Sequence, residues 1–204
     1  MITLEEIMNT VDDIGSDSHH VGGKFIGGMF IQQIKDEIGN LILDLLNTDK
    51  KFNNYLEIGA ATGGNVWLMN KYFKFKNITI VDDNLHHRYE IRRNALKNVN
   101  HNEIIGNSQL KETIKKVDDL NLKYDIIFID GDHSTLGVTS DTKNYIHLLN
   151  KGGYIFYHDI IACQFSIGVY CKELEQYNEY DLIKIKEYLS KILPPCGIAL
   201  FQKI

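Results

Sequence analysis

Cysteine is scarce in this chain. Cys163, Cys171 and Cys196 are three in 204 residues, an odd number with no C-x-x-C spacing. Neither a disulfide framework nor a zinc site is suggested, and the thiols are expected to be buried or idle. Long basic runs are absent, and 22 Lys and Arg against 27 Asp and Glu leave a net charge of -5. A protein that grips a phosphate backbone carries the opposite balance, so nucleic acid is not expected as a partner. No apolar run approaches the ~18 residues of a membrane span. The opening MITLEEIM lacks the basic start and unbroken apolar stretch of a signal peptide. These absences together predict a cytoplasmic protein with no membrane partner. Linkers, repeats and low-complexity tracts are also missing. The expected organisation is therefore one main domain over 51–204, preceded by a helical extension or lid over 1–50.

What is present is an ordinary globular composition, 44% hydrophobic and 24% charged, in a chain long enough to bury roughly 70% of the surface its unfolded form exposes. Apolar runs of strand length alternate with stretches of helical periodicity. NYLEIG (54–59), ITIVDD (78–83), EIIGN (103–107), YDIIFIDG (124–131) and GYIFYHD (153–159) are nearly continuous in Ile, Val, Phe and Tyr, as parallel strands covered on both faces are. Between them, the runs at 65–73, 86–99, 110–120 and 142–149 space apolar residues three or four apart, as crossover helices do. A further helix is expected at 163–177, and another at 30–47. Two final strands are expected within 181–189 and 194–204, the last pairing antiparallel. The fold class is α/β: a Rossmann-like, doubly wound, seven-stranded and mostly parallel sheet with an antiparallel last strand and helices on both faces. Ligands of such sheets sit at the carboxyl ends of the strands, so function is sought in the residues that end each strand.

The stretch YLEIGAATGGN (55–65) turns from strand to helix through glycines. A dinucleotide fingerprint requires G-x-G-x-x-G, where the second glycine lets the backbone approach a pyrophosphate. Ala61 occupies that position here, and the pattern is E-x-G-x-x-x-G, from Glu57 through Gly59 to Gly63. The wider turn, with an acidic side chain at its root, suits a ligand that ends in an amino acid and has no pyrophosphate. Glu57 can meet its ammonium group directly or through water.

This pattern resembles the first motif of the class I S-adenosylmethionine-dependent methyltransferases, and the resemblance extends from about Tyr55 to Ile204. It implies that Glu57, Gly59, Ala60 and Gly63 contact S-adenosyl-L-methionine. It implies further that Asp82, with Asp83 second, accepts hydrogen bonds from the ribose hydroxyls. Asn107 and Ser108 of GNSQ fall at the adenine-binding position, where the family more often carries Asp and where an Asn carbonyl can accept from an amino group.

The remaining strand ends carry the reaction. IDGDHS ends the fourth strand with Asp130, Asp132 and His133, and YHD ends the fifth with His158 and Asp159. Adjacent parallel strands end side by side, so two carboxylates with an imidazole between them converge into a plausible site for Mg²⁺ or a similar hard cation. These segments resemble the metal-dependent O-methyltransferases that act on sugars and other natural products. The resemblance implies Asp130 and Asp159 as metal ligands with His158 as a candidate third, Asp130 also at the cofactor, Asp132 as general base, a small-molecule hydroxyl as acceptor, and a homodimer. An aspartate of ordinary pKa near ~3.9 cannot deprotonate a sugar hydroxyl alone, and a cation that stabilises the alkoxide supplies the missing drive.

Without a metal, His133 or His158 becomes the base, which suits a more acidic acceptor. Two other classes stay open: a methyltransferase-like binding protein without turnover, and a nicotinamide-dependent oxidoreductase, which Ala61 disfavours. The Gly- and His-rich segment 16–28, with His19 and His20, and the loop 191–197 are expected to roof the acceptor pocket or to be simple loops. HHRYEIRR (86–93), a locally basic helix start, is expected to be a solvated face and not an anion site.

Overall fold

The continuous apolar runs form the centre of a seven-stranded sheet. The structure is a computed structural model that describes residues 2–15, 28–85 and 89–204. In chain order the strands are β1 (Asn54–Ile58), β2 (Asn77–Asp82), β3 (Asn102–Ile105), β4 (Tyr124–Ile129), β5 (Leu149–His158), β6 (Leu182–Tyr188) and β7 (Ile198–Lys203). They lie across the sheet in the order β3-β2-β1-β4-β5-β7-β6. The first five are parallel, and β7 runs antiparallel to both β5 and β6. The winding reverses between β1 and β4, so a crevice opens outside their carboxyl ends. This is the α/β, doubly wound, Rossmann-like sheet expected from the sequence.

Alternate residues of the central strands feed two separate cores, as the period of a strand requires. On one face Tyr55, Ile80, Ile126 and Phe128 pack with Ile7, Val11, Ile38, Leu41 and Val66. These come from α1 (Leu4–Ile14), α2 (Lys35–Leu46) and α3 (Gly64–Phe73). On the other face Leu56, Ile58, Ile127 and Tyr157 pack with Val117, Val138, Tyr145 and Leu174. Those belong to α5 (Lys111–Asp118), α6 (Thr135–Tyr145) and α7 (Val169–Tyr177). The short α4 (Tyr89–Ala95) follows β2. No helix among the described residues is long and apolar enough to cross a membrane.

Three helices differ from expectation. α1 was not anticipated, although Thr3 and Glu6 form a capping box: the Thr3 hydroxyl accepts from the Glu6 N–H and the Glu6 carboxylate accepts from the Thr3 N–H. α2 begins at Lys35 and not at 30. Phe30 is held out of it because both its N–H and its carbonyl bond to the Thr62 hydroxyl, at 3.0 and 2.9 Å. α6 begins at Thr135, well before 142, because Ser134 caps it by accepting from the Gly137 N–H at 3.0 Å.

Two buried polar clusters tie the turn after β1 to the sheet. Arg92 of α4 is fully buried. Its guanidinium donates to the Ala61 carbonyl at 2.7 Å, to Glu103 of β3 at 2.8 Å and to the Asn84 side chain, and lies 3.2 Å from Asp82. One planar cation thus joins the ends of β1, β2 and β3. Replacing Arg92 with Met strands the acceptors it serves, so urea unfolding is expected to show a loss of about 3 kcal/mol or more. A change below one-third of that value would mean that the cluster contributes little.

Behind the turn, Glu57 accepts hydrogen bonds from the Tyr55 hydroxyl and, at 3.0 Å, from the Asn65 amide. Burial, opposed by those bonds, pushes the Glu57 carboxyl from 4.5 up to about 8. Below the lower value both folded and unfolded chains hold the proton. Between the two values the unfolded chain releases it and the fold does not, so stability falls as pH rises, by up to about 1.4 kcal/mol per pH unit. Above about 8 the effect levels off. Glu57→Gln is expected to remove this slope, read as the difference between variant and parent unfolding curves across the window. Parallel curves would refute it.

Candidate active site

The turn after β1 approaches the neighbouring strand more closely than a side chain permits. Gly59 has φ +83°, and a Cβ there would lie 2.2 Å from the Asp130 carbonyl oxygen, so glycine alone fits. Ala61, at φ +43°, also lies in the left-handed region. The amides of Ala60 and Ala61 donate to Asp82 Oδ2 at 2.8 and 3.0 Å, and Oδ1 accepts from the Asn84 N–H at 2.7 Å. The acid that ends β2 therefore holds the turn. Asp82 is buried and Asp83 is exposed. Both line a cleft of about 370 Å³ together with Gly59, Asn107, Ser108 and Asp130, a volume in the range of small-ligand sites.

Residues 106–109 form the opposite wall. Asn107 is exposed, and its side-chain carbonyl accepts from the Gln109 N–H at 2.8 Å. Ser108 donates to the buried Asp141 at 2.6 Å, while its carbonyl accepts from the Tyr145 hydroxyl at 2.8 Å. Burial, opposed by the Ser108 bond, pushes Asp141 up to about 7. Asp132 stands exposed at the rim, accepting from the Ser134 N–H at 2.9 Å and from the Gln109 amide at 3.1 Å. The Ser134 bond holds its carboxyl below the usual range.

At the other side of the mouth, β4 and β5 end in register. Ile129 pairs with Tyr157, so Asp130 and His158 follow as neighbours. Asp130 Oδ1 lies 3.2 Å from His158 Nδ1 and 3.3 Å from His133 Nε2, and Oδ2 accepts from the Gln33 amide at 2.7 Å. Asp159 reaches both imidazoles, at 3.4 Å from His158 Nδ1 and 3.3 Å from His133 Nδ1. Its backbone has φ +61°, an unfavourable region for a residue with a side chain and a recurrent feature of functional sites. Burial alone would raise Asp130 and lower His158. Their opposite charges reverse both effects, holding Asp130 below the usual range and raising His158 to about 9. His133 is raised as well, chiefly by its bond to Asp130.

His158 is 3% exposed and its Nε2 has no hydrogen-bond partner. Two carboxylates and two imidazoles make a donor set that fits a divalent cation.

The structure thus brings together Asp130, His133, His158 and Asp159 in one cluster, and Gly59, Asp82, Asp83, Asn107, Ser108, Asp130 and Asp132 around one cleft. Ala60 and Gly63 belong to the turn and Glu57 lies behind it, beside a small hollow shared with Gln33 and Asn65. His19, His20 and residues 86–88 lie outside the described residues. The rest of HHRYEIRR corrects an expectation: Arg92 is not on a solvated face but fully buried, because Asp82 and Glu103 claim its guanidinium.

The thiols correct an expectation. Cys171 is buried, but Cys163 Sγ lies 3.8 Å from His133 Nδ1. Cys196 groups with His158 and Asp159, their ligand atoms within 4.8 Å of one another. Gln33, Cys163 and Cys196 were missed as site residues. Each arrives from a segment remote from the strand-end motifs, and no local pattern marks it.

A sequence model described as a methyltransferase domain matches residues 56–160. An uncharacterized protein of Acanthamoeba polyphaga mimivirus is 35% identical over a 130-residue alignment that covers 59% of this chain and 58% of that protein. The chain therefore spans just over half the length of that relative. Cofactor-bound Rv0187 from MTB matches 99% of this chain and 98% of its own, with TM-score 0.66 at 14% identity. The O-methyltransferase TomG from Streptomyces achromogenes, solved with SAM, matches 83% of this chain and 79% of its own, with TM-score 0.61 at 12% identity. The MycE methyltransferase of the mycinamycin biosynthetic pathway, solved with Mg and SAH, matches 76% of this chain and 46% of its own, with TM-score 0.52 at 16% identity. At these identities the likeness shows the shared fold. With the matched segment running from β1 to the acidic end of β5 and covering half of the sequence, this chain belongs to the methyltransferase domain family.

Proposed function

We propose that this protein transfers a methyl group from S-adenosylmethionine to a hydroxyl of a small molecule, with a divalent cation held by Asp130, His158 and Asp159. The observation that carries this reading is the shared mouth. The cleft beside Gly59, Asp82 and Asp83 and the carboxylate–imidazole cluster meet at Asp130, which belongs to both. TomG and MycE, of the same fold, were solved with SAM and with Mg and SAH respectively.

S-adenosylmethionine supplies a methyl group on a positively charged sulfur. This chain's part is to bind and align. Asp82 keeps acceptor capacity on Oδ1 beyond the Asn84 bond, since a carboxylate offers about four acceptor sites. Together with exposed Asp83 it suits ribose hydroxyls. Glu57, protonated in the empty fold, would ionise beside an ammonium group. Asn107 and Ser108 flank the position for the base.

Asp130, His158 and Asp159 would hold the divalent cation, and it would supply Lewis acidity to the acceptor hydroxyl. Asp132 is a weak base by virtue of its Ser134 bond, so it can take the proton only from a hydroxyl already acidified. Its exposure lets that proton pass on to water. In-line displacement then depends on alignment, which the rigid strand ends provide.

The test is calorimetric titration with S-adenosylhomocysteine in EDTA and again with a divalent cation, followed by turnover on sugar and phenolic acceptors. Binding is expected in both, with turnover only in the second. Asp159→Asn is expected to lower turnover by roughly a hundredfold or more, the upper end of what even outer partners of a metal contribute, while S-adenosylhomocysteine affinity stays within a few fold. Full turnover in EDTA would remove the cation and give the base to His133, which both carboxylates orient. Absence of binding in either would remove the methyltransferase reading.

A further inference from the structure

The cluster at the β4–β5 mouth contains groups that a site built for a hard cation does not use. Cys163 groups with His133 and Asp159, and Cys196 with His158 and Asp159, the ligand atoms of each triad lying within 4.8 Å of one another. The two triads share Asp159. We propose that the cation taken here belongs to the borderline, thiophilic class of Zn²⁺ and not that of Mg²⁺, with Cys196, His158 and Asp159 as its donors and Cys163 and His133 in the adjoining triad. This rests on the reading above that the cluster holds a cation; it changes that cation's chemistry and sets Cys196 in the place given there to Asp130.

Cys196 is fixed in place by the backbone around it. The N–H of Gly197 donates to both oxygens of the buried Glu37 at 3.1 and 3.0 Å, and the Cys196 carbonyl accepts from Ile161 at 2.8 Å and Ala162 at 3.2 Å. The loop before β7 is thereby tied to α2 on one side and to the segment after Asp159 on the other. Cys163 is set by its own N–H, which donates to the Asp159 carbonyl at 2.7 Å. It sits where a π-helical turn, Gln164–Gly168, begins, and such turns recur at functional sites. Ser166 ties that turn to the His133 carbonyl at 2.6 Å.

The His158 ring is almost wholly buried, and its Nδ1 is turned to Asp130 and Asp159, at 3.2 and 3.4 Å. Magnesium prefers an octahedron of oxygens and seldom takes sulfur, whereas thiolate and imidazole together favour Zn²⁺ and its neighbours. Each triad, with one thiol and one imidazole beside a carboxylate, matches the second class.

The experiment uses the full chain, stripped with a chelator and titrated with Co²⁺ as an optical probe of the Zn²⁺ class. S-adenosylhomocysteine binding is measured in parallel. Saturable cobalt binding with an intense thiolate-to-cobalt charge-transfer band is expected, displaced by stoichiometric Zn²⁺ and not by a large excess of Mg²⁺. Cys196→Ser is expected to remove most of that band and to weaken cobalt on the order of tenfold or more. Cys163→Ser is expected to weaken the band less. Retained S-adenosylhomocysteine binding in each variant shows that the fold is intact. Cobalt binding without the band, a band unchanged in both serine variants, or displacement by Mg²⁺ would overturn the proposal. Failure of the unsubstituted chain to bind S-adenosylhomocysteine would instead count against the methyltransferase reading, and the cobalt result would stand or fall independently.

Discussion

The contact between Asp130 and His158 is the interaction on which the mouth of this sheet depends. Parallel pairing of β4 with β5 sets it: once Ile129 lies beside Tyr157, the next residues of both strands must meet where the backbone hydrogen bonds run out. A carboxylate and an imidazole buried together there are tolerable only as partners, since each alone would carry a large desolvation cost. The rest of the site is arranged to keep that pair satisfied. Gly59 gives up its side chain so that β1 can pass the Asp130 carbonyl. Gln33 caps the second Asp130 oxygen. Asp159 adopts a left-handed backbone that carries its carboxylate to the same imidazoles.

Segments outside the parallel core close on this pair from two directions. The stretch before α2 is pinned to the turn after β1 through Phe30 and Thr62, which places Gln33 over Asp130. The N-terminal turn of α2 then offers Asp36 and Glu37, both buried, to the loop between β6 and β7. Asp36 accepts from the Ser190 hydroxyl and the Lys191 N–H, and Glu37 from the N–H groups of Ser190 and Gly197. Burial raises the Glu37 carboxyl, and the two backbone donors only partly offset it. Helix α2 is thus both a wall of the core and a clamp on the loop that bears Cys196.

What could be read in the sequence follows the range of the interactions involved. Strand runs such as YDIIFI and the turn EIGAATG are written in consecutive residues, because burial on both faces and a left-handed turn impose local patterns. The acidic strand ends were equally local, and the parallel sheet turned five of them into two adjoining groups. The capping box at Thr3 was local too, and α1 could have been found from it. The start of α2 could not: nothing near Phe30 announces that the Thr62 hydroxyl will claim its backbone. Gln33 on Asp130 and Cys196 beside Asp159 are likewise contacts across long sequence separations. Only the folded chain shows that two of the three cysteines, Cys163 and Cys196, stand beside the carboxylate–imidazole cluster.

The charge at that point bears on the proposed cation as well. Against the effect of its burial, Asp130 and Asp159 raise His158 to about 9, and His133 is raised beside Asp130. Metal ligands bind in their deprotonated form, so a cation taken through the His158 imidazole would displace the proton that these carboxylates favour. This follows from placing imidazole between carboxylates and not more carboxylates, which would repel one another in an empty, buried site. His158 thus gives Asp130 and Asp159 a partner of opposite charge where a third acid would have repelled them.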